Sequence, residues 1–223
     1  LGRTLLYTVC TLPFRVIIPL LVAVLLCSKR VAGKSLTRTM VYIPVLMSAL
    51  VVGITINWMF SQEYGLVNFI IRSLGGTALE WSLNPRLATF VIAFASVWAS
   101  IGFNMILYIG GINSISNDLY EAATIDGASG VQAFFRITVP MLAPTTFMVV
   151  LLSTVNLLKE YALVQGITQG GPGLSTTFII QYIFDKGFNQ MQYGYASAIS
   201  TVVMIIFALI AFAQFKVNNG GET

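Results

Sequence analysis

Three ionisable side chains lie inside long apolar stretches of this 223-residue sequence. Arg15 is near the middle of one stretch, and Lys159 and Glu160 are together in another, beside Asn156 and Tyr161. An ionisable group at the centre of a lipid bilayer costs about 2.5–3.5 kcal/mol on insertion scales, so such groups usually face a cavity or one another. If the apolar stretches are membrane spans, these residues are candidates for lining a polar path.

Structural roles are open for the same three residues. Lys159 and Glu160 could instead extend to the membrane interface or pair locally. Arg15 could form a structural ion pair or bind a backbone carbonyl. The residue types alone do not decide between these roles and a path.

Most enzymatic chemistry is excluded by composition. The sequence has no histidine, which removes Ser-His and Cys-His dyads and the commonest general base. Cys10 and Cys27 both lie in apolar runs, so we expect free, buried thiols and neither a disulfide nor a zinc site. No Walker motif is present, so ATP is not expected to bind here. We predict no catalytic residues, no metal and no cofactor in this chain.

The composition requires a membrane environment. Hydrophobic residues make up 57% and charged residues 9%, against roughly 45–50% and about 25% in soluble domains. A single core of this size cannot bury that apolar surplus. The net charge of +4 is small and scattered, which excludes nucleic-acid binding through a basic face.

Five stretches are long enough to cross a bilayer as helices, which takes about 20 mostly apolar residues. They are Leu5–Cys27, Thr39–Phe60, Leu87–Gly110, Met141–Leu163 and Tyr195–Phe215. Pro13, Pro19 and Pro44 predict kinks, because each removes a backbone donor. Small residues in the third stretch, such as Ser96 and Gly102, predict close helix packing. We therefore predict that residues 1–223 form one all-α membrane domain.

The distribution of Lys and Arg predicts the orientation of the spans. The loop between the first two stretches has four basic residues and no acidic one, which places it in the cytoplasm: Lys29, Arg30, Lys34 and Arg38. Alternation then places residues 61–86 and 165–194 outside, and residues 111–140 and the C-terminus in the cytoplasm. Leu1 falls outside, and because no signal sequence precedes it, we expect a sixth span upstream in the native subunit.

The cytoplasmic segment 112–140 is too long for a turn and has helical character. Ser116 or Asn117 could cap a helix, and Gly127 is placed to end it. Within it, spacings of three and four connect Leu119, Ala122, Ala123 and Asp126. Such a helix, held at both ends by membrane spans, is expected to dock on a partner.

A second short helix is predicted from Val131. It is expected to pack Phe134 and Phe135 against the helix bundle. Pro140 is then placed to open the next span, because proline is favoured in the first turn of a helix.

One motif in this segment resembles the EAA loop of the integral-membrane subunits of binding-protein-dependent ABC importers. It reads Glu121-Ala122-Ala123, three residues, Gly127, nine residues, Ile137, one residue and Val139-Pro140, with Val139 where Leu is usual. In that family the loop forms a coupling helix that inserts into the ATPase subunit. The resemblance implies that residues 112–140, here called the EAA loop, contact the ATPase through Glu121, Ala122, Ala123, Asp126 and Gly127.

A second segment resembles the maltose-type carbohydrate permeases. It runs from Leu163 through Ile167-Thr168-Gln169-Gly170-Gly171-Pro172 to Ser175-Thr176-Thr177, against LTxGGP…ST in those permeases. Without the resemblance, Gly170-Gly171-Pro172 is an outer turn, and it is not a phosphate loop because no Gly-Lys-Ser/Thr follows. By position, the resemblance implies a sugar cavity lined by Trp98, Ser100, Phe103, Asn156, Lys159, Glu160 and Tyr161.

The resemblance implies a type I ABC importer transmembrane domain that imports a sugar or oligosaccharide by alternating access. The implied partners are a second homologous permease subunit, an ATPase dimer carrying ATP and Mg²⁺, an extracytoplasmic sugar-binding protein and the lipid of a bacterial or archaeal inner membrane. One alternative is an ABC permease for a non-sugar solute, which the GGP segment disfavours. The other is a secondary transporter or channel without an ATPase, which the EAA loop disfavours.

Overall fold

The computed structural model describes residues 1–28 and 33–219, and helices dominate both ranges. The helices are α1 (Gly2–Cys27), α2 (Lys34–Leu46), α3 (Ala49–Met59), α4 (Leu66–Ser73), α5 (Pro85–Asn113), α6 (Asn117–Ile125), α7 (Gly130–Ala133), α8 (Val139–Met141), α9 (Ala143–Leu158), α10 (Ala162–Ile167), α11 (Ile179–Phe184) and α12 (Tyr193–Asn219). Two π-helical turns cover Phe134–Thr138 and Asp185–Asn189. The described ranges contain no strand, which confirms the all-α prediction.

Three of the five predicted spans are single long helices. In the part of the chain that the structure describes, α1, α5 and α12 are each long and apolar enough to cross a membrane. Their bounds lie within a few residues of the predicted ones. α1 is unbroken at Pro13 and Pro19. Lys29 and Arg30, which contribute to the predicted orientation, lie outside the described residues.

The second predicted span, Thr39–Phe60, is not one helix. α2 ends at Leu46, the next two residues are extended with ψ of 145° and 135°, and α3 leaves at 100° to α2. Pro44 lies two residues before the end of α2 and cannot donate a backbone hydrogen bond, which weakens the helix there. The kink predicted from Pro44 is therefore found as a break between two helices, and the bent pair is long and apolar enough to cross as one broken span.

The fourth predicted span, Met141–Leu163, is also interrupted. α9 follows a 66° bend from the segment Gly130–Met141 and ends at Leu158. Residues 159–161 are not helical, and α10 begins at Ala162. The continuous helix predicted through Lys159 and Glu160 is wrong, and we call residues 159–161 the α9–α10 break.

Two glycines, Gly53 and Gly166, allow α10, which follows this break, to pack closely against α3. α10 packs closely against α3, and a Cβ at Gly166 would lie 2.8 Å from the Leu50 carbonyl oxygen and 2.9 Å from Gly53 Cα. Such an approach is possible only without side chains between the helices.

Gly102 of α5 plays a similar role against α2, because a Cβ at Gly102 would lie 2.7 Å from the Val41 carbonyl oxygen. The close packing predicted for the third span is confirmed there.

α1 packs mainly on α5 and α9. Its buried face is polar over the first four turns, where Thr4, Thr8, Thr11 and Arg15 are buried. Two apolar clusters surround it. One is centred on Val52, Ile92 and Leu157, and the other on Met105, Tyr108 and Leu142. α5 contributes to both clusters, so it supports the bundle along its whole length.

The prediction that both cysteines are buried is wrong. Cys10 is exposed and Cys27 is half-buried, although both thiols are free as predicted. Cys10 lies on the face of α1 that also exposes Leu6 and Phe14. An apolar side chain of a membrane helix can contact lipid as well as protein, so an apolar run does not predict burial inside the protein.

Candidate functional site

A cavity of about 430 Å³ lies where α1, α5, α9 and the α9–α10 break meet. Six of the seven residues predicted to line a substrate path line this cavity: Ser100, Phe103, Asn156, Lys159, Glu160 and Tyr161. The structure adds Arg15, Ala99, Asn104, Ser153 and Ala162. Two aromatic rings and several amide, hydroxyl and charged groups therefore converge on one space.

Trp98, the seventh residue predicted to line a path, is not among the residues that line this cavity. Its side chain is 37% exposed. Each helical residue advances by about 100°, so Trp98 lies about 160° from Ser100 and about 140° from Phe103 around α5. The residue shares their sequence neighbourhood but faces away from the cavity.

Arg15 both binds a backbone carbonyl and lines the cavity, which are two of the roles that the sequence left open. Only 6% of its surface is exposed. Its Nη2 donates to Ser96 O at 3.0 Å and to Ser96 Oγ at 2.8 Å. Its Nε is buried and has no hydrogen-bond partner in the described part of the chain. The carbonyl contact is therefore present, and the same side chain lines the cavity.

Asn104 and Ser153 were not predicted, yet they join the three helices around the cavity. Asn104 Nδ2 donates to Arg15 O at 2.9 Å and to Ser153 Oγ at 3.2 Å, and both side chains are buried. This links α5 to α1 and to α9. The sequence signal was an amide in the middle of an apolar run, where an unpaired polar group is costly.

Glu160 and Lys159 differ in burial although they are adjacent. Glu160 is 9% exposed, and its Oε1 accepts the Leu163 N–H at 3.3 Å, which satisfies one free donor at the start of α10. Lys159 is exposed. The centroid of the Tyr161 ring lies 5.2 Å from the centroid of the Phe184 ring. The break thus places a buried carboxylate, a free ammonium and a supported aromatic ring beside the cavity.

The EAA loop contains the helix that the sequence predicts. Ser116 is the residue that caps α6, and its Oγ accepts the Asp118 N–H at 3.2 Å. α6 ends at Ile125, and Gly127 follows with φ of +76°, a conformation that glycine adopts at little cost. The Ala128 N–H donates to Ala123 O at 2.8 Å and closes the turn.

α6 has no buried residue, so its faces are open within the described chain. Glu121, Ala122, Asp126 and Gly127 are exposed, and Ala123 is half-buried. Ile125 is 87% exposed and was not predicted as a contact residue. A large apolar side chain beside exposed alanines is typical of a docking surface.

The segment after α6 contains the second short helix predicted near Val131, but its phenylalanines and the start of the next long helix differ from the prediction. α7 begins at Gly130 with a capping box, in which Ser129 and Gln132 bond each other's backbone N–H groups. Phe134 is half-buried but Phe135 is 64% exposed, so only one of the two rings can support the bundle. Pro140 lies within α8, and the long helix begins only at Ala143.

The GGP segment forms a compact turn held by threonines. Thr168 Oγ1 and Thr176 Oγ1 are 2.7 Å apart, and Thr176 Oγ1 also donates to Gly171 O at 2.6 Å. Gly170 has φ of +93°, and a Cβ there would lie 2.7 Å from Thr177 Oγ1. The outer turn expected from these residues is thus a hydrogen-bonded unit that needs glycine at this position.

Comparison with known proteins identifies the family. The family model for the inner-membrane component of binding-protein-dependent transport systems matches residues 1–219. The arabinooligosaccharides transport permease AraP of Halalkalibacterium halodurans is 33% identical over 216 residues, which are 96% of this chain and 68% of that protein. The trehalose/maltose permease MalF of Thermococcus litoralis is 34% identical over 194 residues, 87% of this chain and 65% of that protein.

A third curated relative and a solved structure agree with this result. The lactose transport permease LacF of Rhizobium radiobacter is 31% identical over 220 residues, 96% of this chain and 74% of that protein. A chain of a bacterial ABC transporter that imports alginate has the same fold, with a TM-score of 0.88 over 98% of this chain and 77% of that one, at 24% identity. The chain therefore belongs to the family of inner-membrane components of binding-protein-dependent transport systems.

Proposed function

We propose that this chain is a permease subunit of an ATP-driven importer for a sugar or oligosaccharide. The cavity beside the α9–α10 break carries the proposal. It combines aromatic rings, Phe103 and Tyr161, with hydroxyl, amide and carboxylate groups. Aromatic faces that stack on sugar rings and polar groups that bond hydroxyls are what a carbohydrate site needs. The relatives named for arabino-oligosaccharides, trehalose or maltose, and lactose support a sugar as solute.

The proposed mechanism is alternating access. An extracytoplasmic binding protein delivers the sugar to the outer face, where this subunit and a second homologous permease form the path. An ATPase dimer binds ATP and Mg²⁺ on the cytoplasmic side, and its closure moves the EAA loop. With this orientation the C-terminal end of α12 lies in the cytoplasm of a bacterial or archaeal cell.

The EAA loop, residues 112–140, is proposed as the ATPase contact. Its exposed helix α6 presents Glu121, Ala122 and Asp126, with Gly127 turning the chain directly after it. We add Ile125 to this contact because its side chain is 87% exposed. Small and apolar residues permit a close fit, while the carboxylates can pair with basic groups of the partner.

Cysteine scanning tests the cavity. In a background with Cys10→Ser and Cys27→Ser, we introduce Asn156→Cys, Glu160→Cys or Tyr161→Cys and measure labelling by a water-soluble thiol reagent. We expect labelling at these positions and protection by the transported sugar. Trp98→Cys is the matched control, since Trp98 lies outside the cavity, and sugar is not expected to protect it. Absence of sugar protection at all three cavity positions contradicts the proposal.

Co-purification tests the ATPase contact. Glu121→Lys reverses an exposed charge on α6, so the amount of ATPase that purifies with the tagged permease is expected to fall. Glu63→Lys makes the same change at an exposed position outside the EAA loop and is expected to retain the ATPase. Equal recovery of the ATPase with both variants would argue against docking through α6.

A further inference from the structure

A second cavity, of about 510 Å³, lies between α1 and α5 and is not part of the path described above. Its walls are almost entirely apolar, and its lining residues include Leu6, Phe14, Ile18, Phe90, Phe94 and Val97. None of these residues lines the polar cavity. We call this second cavity the α1–α5 groove.

The groove has one charged end. Arg3 and Arg86 both line it, and each lies in the first turn of its helix. The Arg3 guanidinium donates to the Leu174 carbonyl. Within the described residues, the Arg86 guanidinium has no hydrogen-bond or ion-pair partner. Helix N-termini favour anions and disfavour cations, so two arginines there leave a positive region that an external anion would complement.

Two hydroxyl groups at the groove have no hydrogen-bond partner among the described residues. They are the buried Ser175 Oγ and Thr11 Oγ1, and both residues line the groove. Ser175 follows Leu174, the residue bonded by Arg3, so it lies near the charged end. Thr11 is only 2% exposed. A buried polar atom without a partner calls for an acceptor or donor from outside the chain.

The length of the groove matches one leaflet of a bilayer. From Arg3 to Ile18 the axis of α1 advances about 22 Å, and from Arg86 to Val97 that of α5 advances about 16 Å. Half of the hydrocarbon core is about 15 Å thick. An acyl chain that starts at the two arginines therefore runs along the groove to about the bilayer centre.

We propose that the α1–α5 groove binds an anionic phospholipid, with its phosphate between Arg3 and Arg86 and one acyl chain along the apolar wall. Guanidinium groups bind phosphate oxygens through paired, charge-assisted hydrogen bonds. The Ser175 hydroxyl donates to the same headgroup. The lipid belongs to the outer leaflet, because the charge distribution of the loops places the N-termini of α1 and α5 outside. The proposal is independent of the solute that the transporter carries.

Native mass spectrometry of the detergent-purified transporter complex tests the site. The complex is mixed with equal amounts of phosphatidylglycerol and phosphatidylcholine, and the number of molecules of each lipid bound per complex is measured. We expect phosphatidylglycerol to exceed phosphatidylcholine at least fivefold in the wild type, and the ratio to fall to about one in Arg86→Gln. Arg72→Gln removes an exposed arginine outside the groove and is expected to keep the wild-type ratio.

A second variant tests the contribution of the apolar wall separately from that of the arginines. Ala93→Trp fills the apolar wall without changing any arginine, so it is expected to lower bound lipid of both kinds. Equal binding of the two lipids to the wild type, an unchanged ratio in Arg86→Gln, or unchanged lipid in Ala93→Trp would each overturn the proposal. A wild-type complex that carries no lipid would also overturn it, since the groove is then filled by polypeptide.

Discussion

The Tyr120 hydroxyl lies 2.9 Å from Thr138 Oγ1, and this contact joins α6 to the π-helical turn that leads towards α9. Tyr120 is half-buried and Thr138 is buried. α6 has no buried residue, and this bond links it to the part of the EAA loop that leads to α9. Any force on α6 is expected to pass partly through it.

Tyr120→Phe removes the hydroxyl and keeps the ring. A hydrogen bond contributes about 0.5–1.5 kcal/mol net, so we expect sugar-stimulated ATP hydrolysis by the reconstituted complex to fall about two- to tenfold. The amount of ATPase bound is expected to stay unchanged. Tyr64→Phe, at a tyrosine that is 80% exposed outside the EAA loop, is the control and is expected to behave as wild type. An unchanged rate in Tyr120→Phe would show that the bond carries no coupling.

Gly127→Ala should disturb the turn after α6. A Cβ at Gly127 meets nothing within 4 Å, but φ of +76° is strained for alanine by about 1–2 kcal/mol. We expect the amount of co-purified ATPase to fall about fivefold or more, because a reshaped turn misplaces the docking surface. Gly130→Ala is the matched control, since it also has open space and lacks a positive φ. Full ATPase binding by Gly127→Ala would refute this requirement for glycine.

Gly166→Ala should separate α10 from α3. The added Cβ would meet backbone atoms of Leu50 and Gly53 at 2.8–3.0 Å, and backbone cannot move aside as a side chain can. We expect a loss of about 1–3 kcal/mol in the free energy of unfolding, seen as a lower Tm in detergent. Gly110→Ala, in α5 with nothing within 4 Å, is expected to be neutral or stabilising. Similar Tm values for the two variants would contradict the packing argument.

Asn68→Ala should loosen the segment between α3 and α5. Asn68 is fully buried, and its Oδ1 accepts the Leu79 N–H and the Trp81 Nε1–H, each at 3.0 Å. Its Nδ2 donates to Leu79 O at 3.0 Å and to Gln62 O at 3.2 Å. Each buried group left unpaired costs about 1–3 kcal/mol, so proteolysis within residues 61–84 is expected to accelerate about tenfold. Ser82→Ala in the same segment is the control, and equal cleavage rates would contradict the role of Asn68.

The long single spans could be predicted because an apolar run of sufficient length is a local property. α1, α5 and α12 follow directly from it. The break after α2 could be predicted as a kink from Pro44, but the α9–α10 break could not, because it depends on how α10 meets α3. The glycines that allow this contact, Gly53 and Gly166, are 113 positions apart in the sequence, so no local pattern connects them.

The candidate site was predicted as a set of positions, and the structure refines which side chains share a space. Arg15 and Glu160 stood out because charge in an apolar run is rare. Trp98 was misplaced, since proximity in sequence to Ser100 does not fix the face of a helix. Asn104 and Ser153 were missed because a single amide or hydroxyl is a weak signal. Ile125 was missed because exposure of an apolar residue depends on what surrounds it.

The α9–α10 break also affects how such a transporter can evolve. Residues within a continuous helix are constrained by helix propensity and by packing of both helical faces. Lys159 and Tyr161 lie between two helices, so their side chains can be exchanged with little loss of helix stability, whereas Glu160 also accepts the Leu163 N–H at the start of α10. α10 meanwhile stays fixed on α3 through glycines that do not contact the cavity. Under the proposed function, the positions that contact the solute are thus separate from those that hold α10 on α3, so few substitutions would suffice to change solute preference.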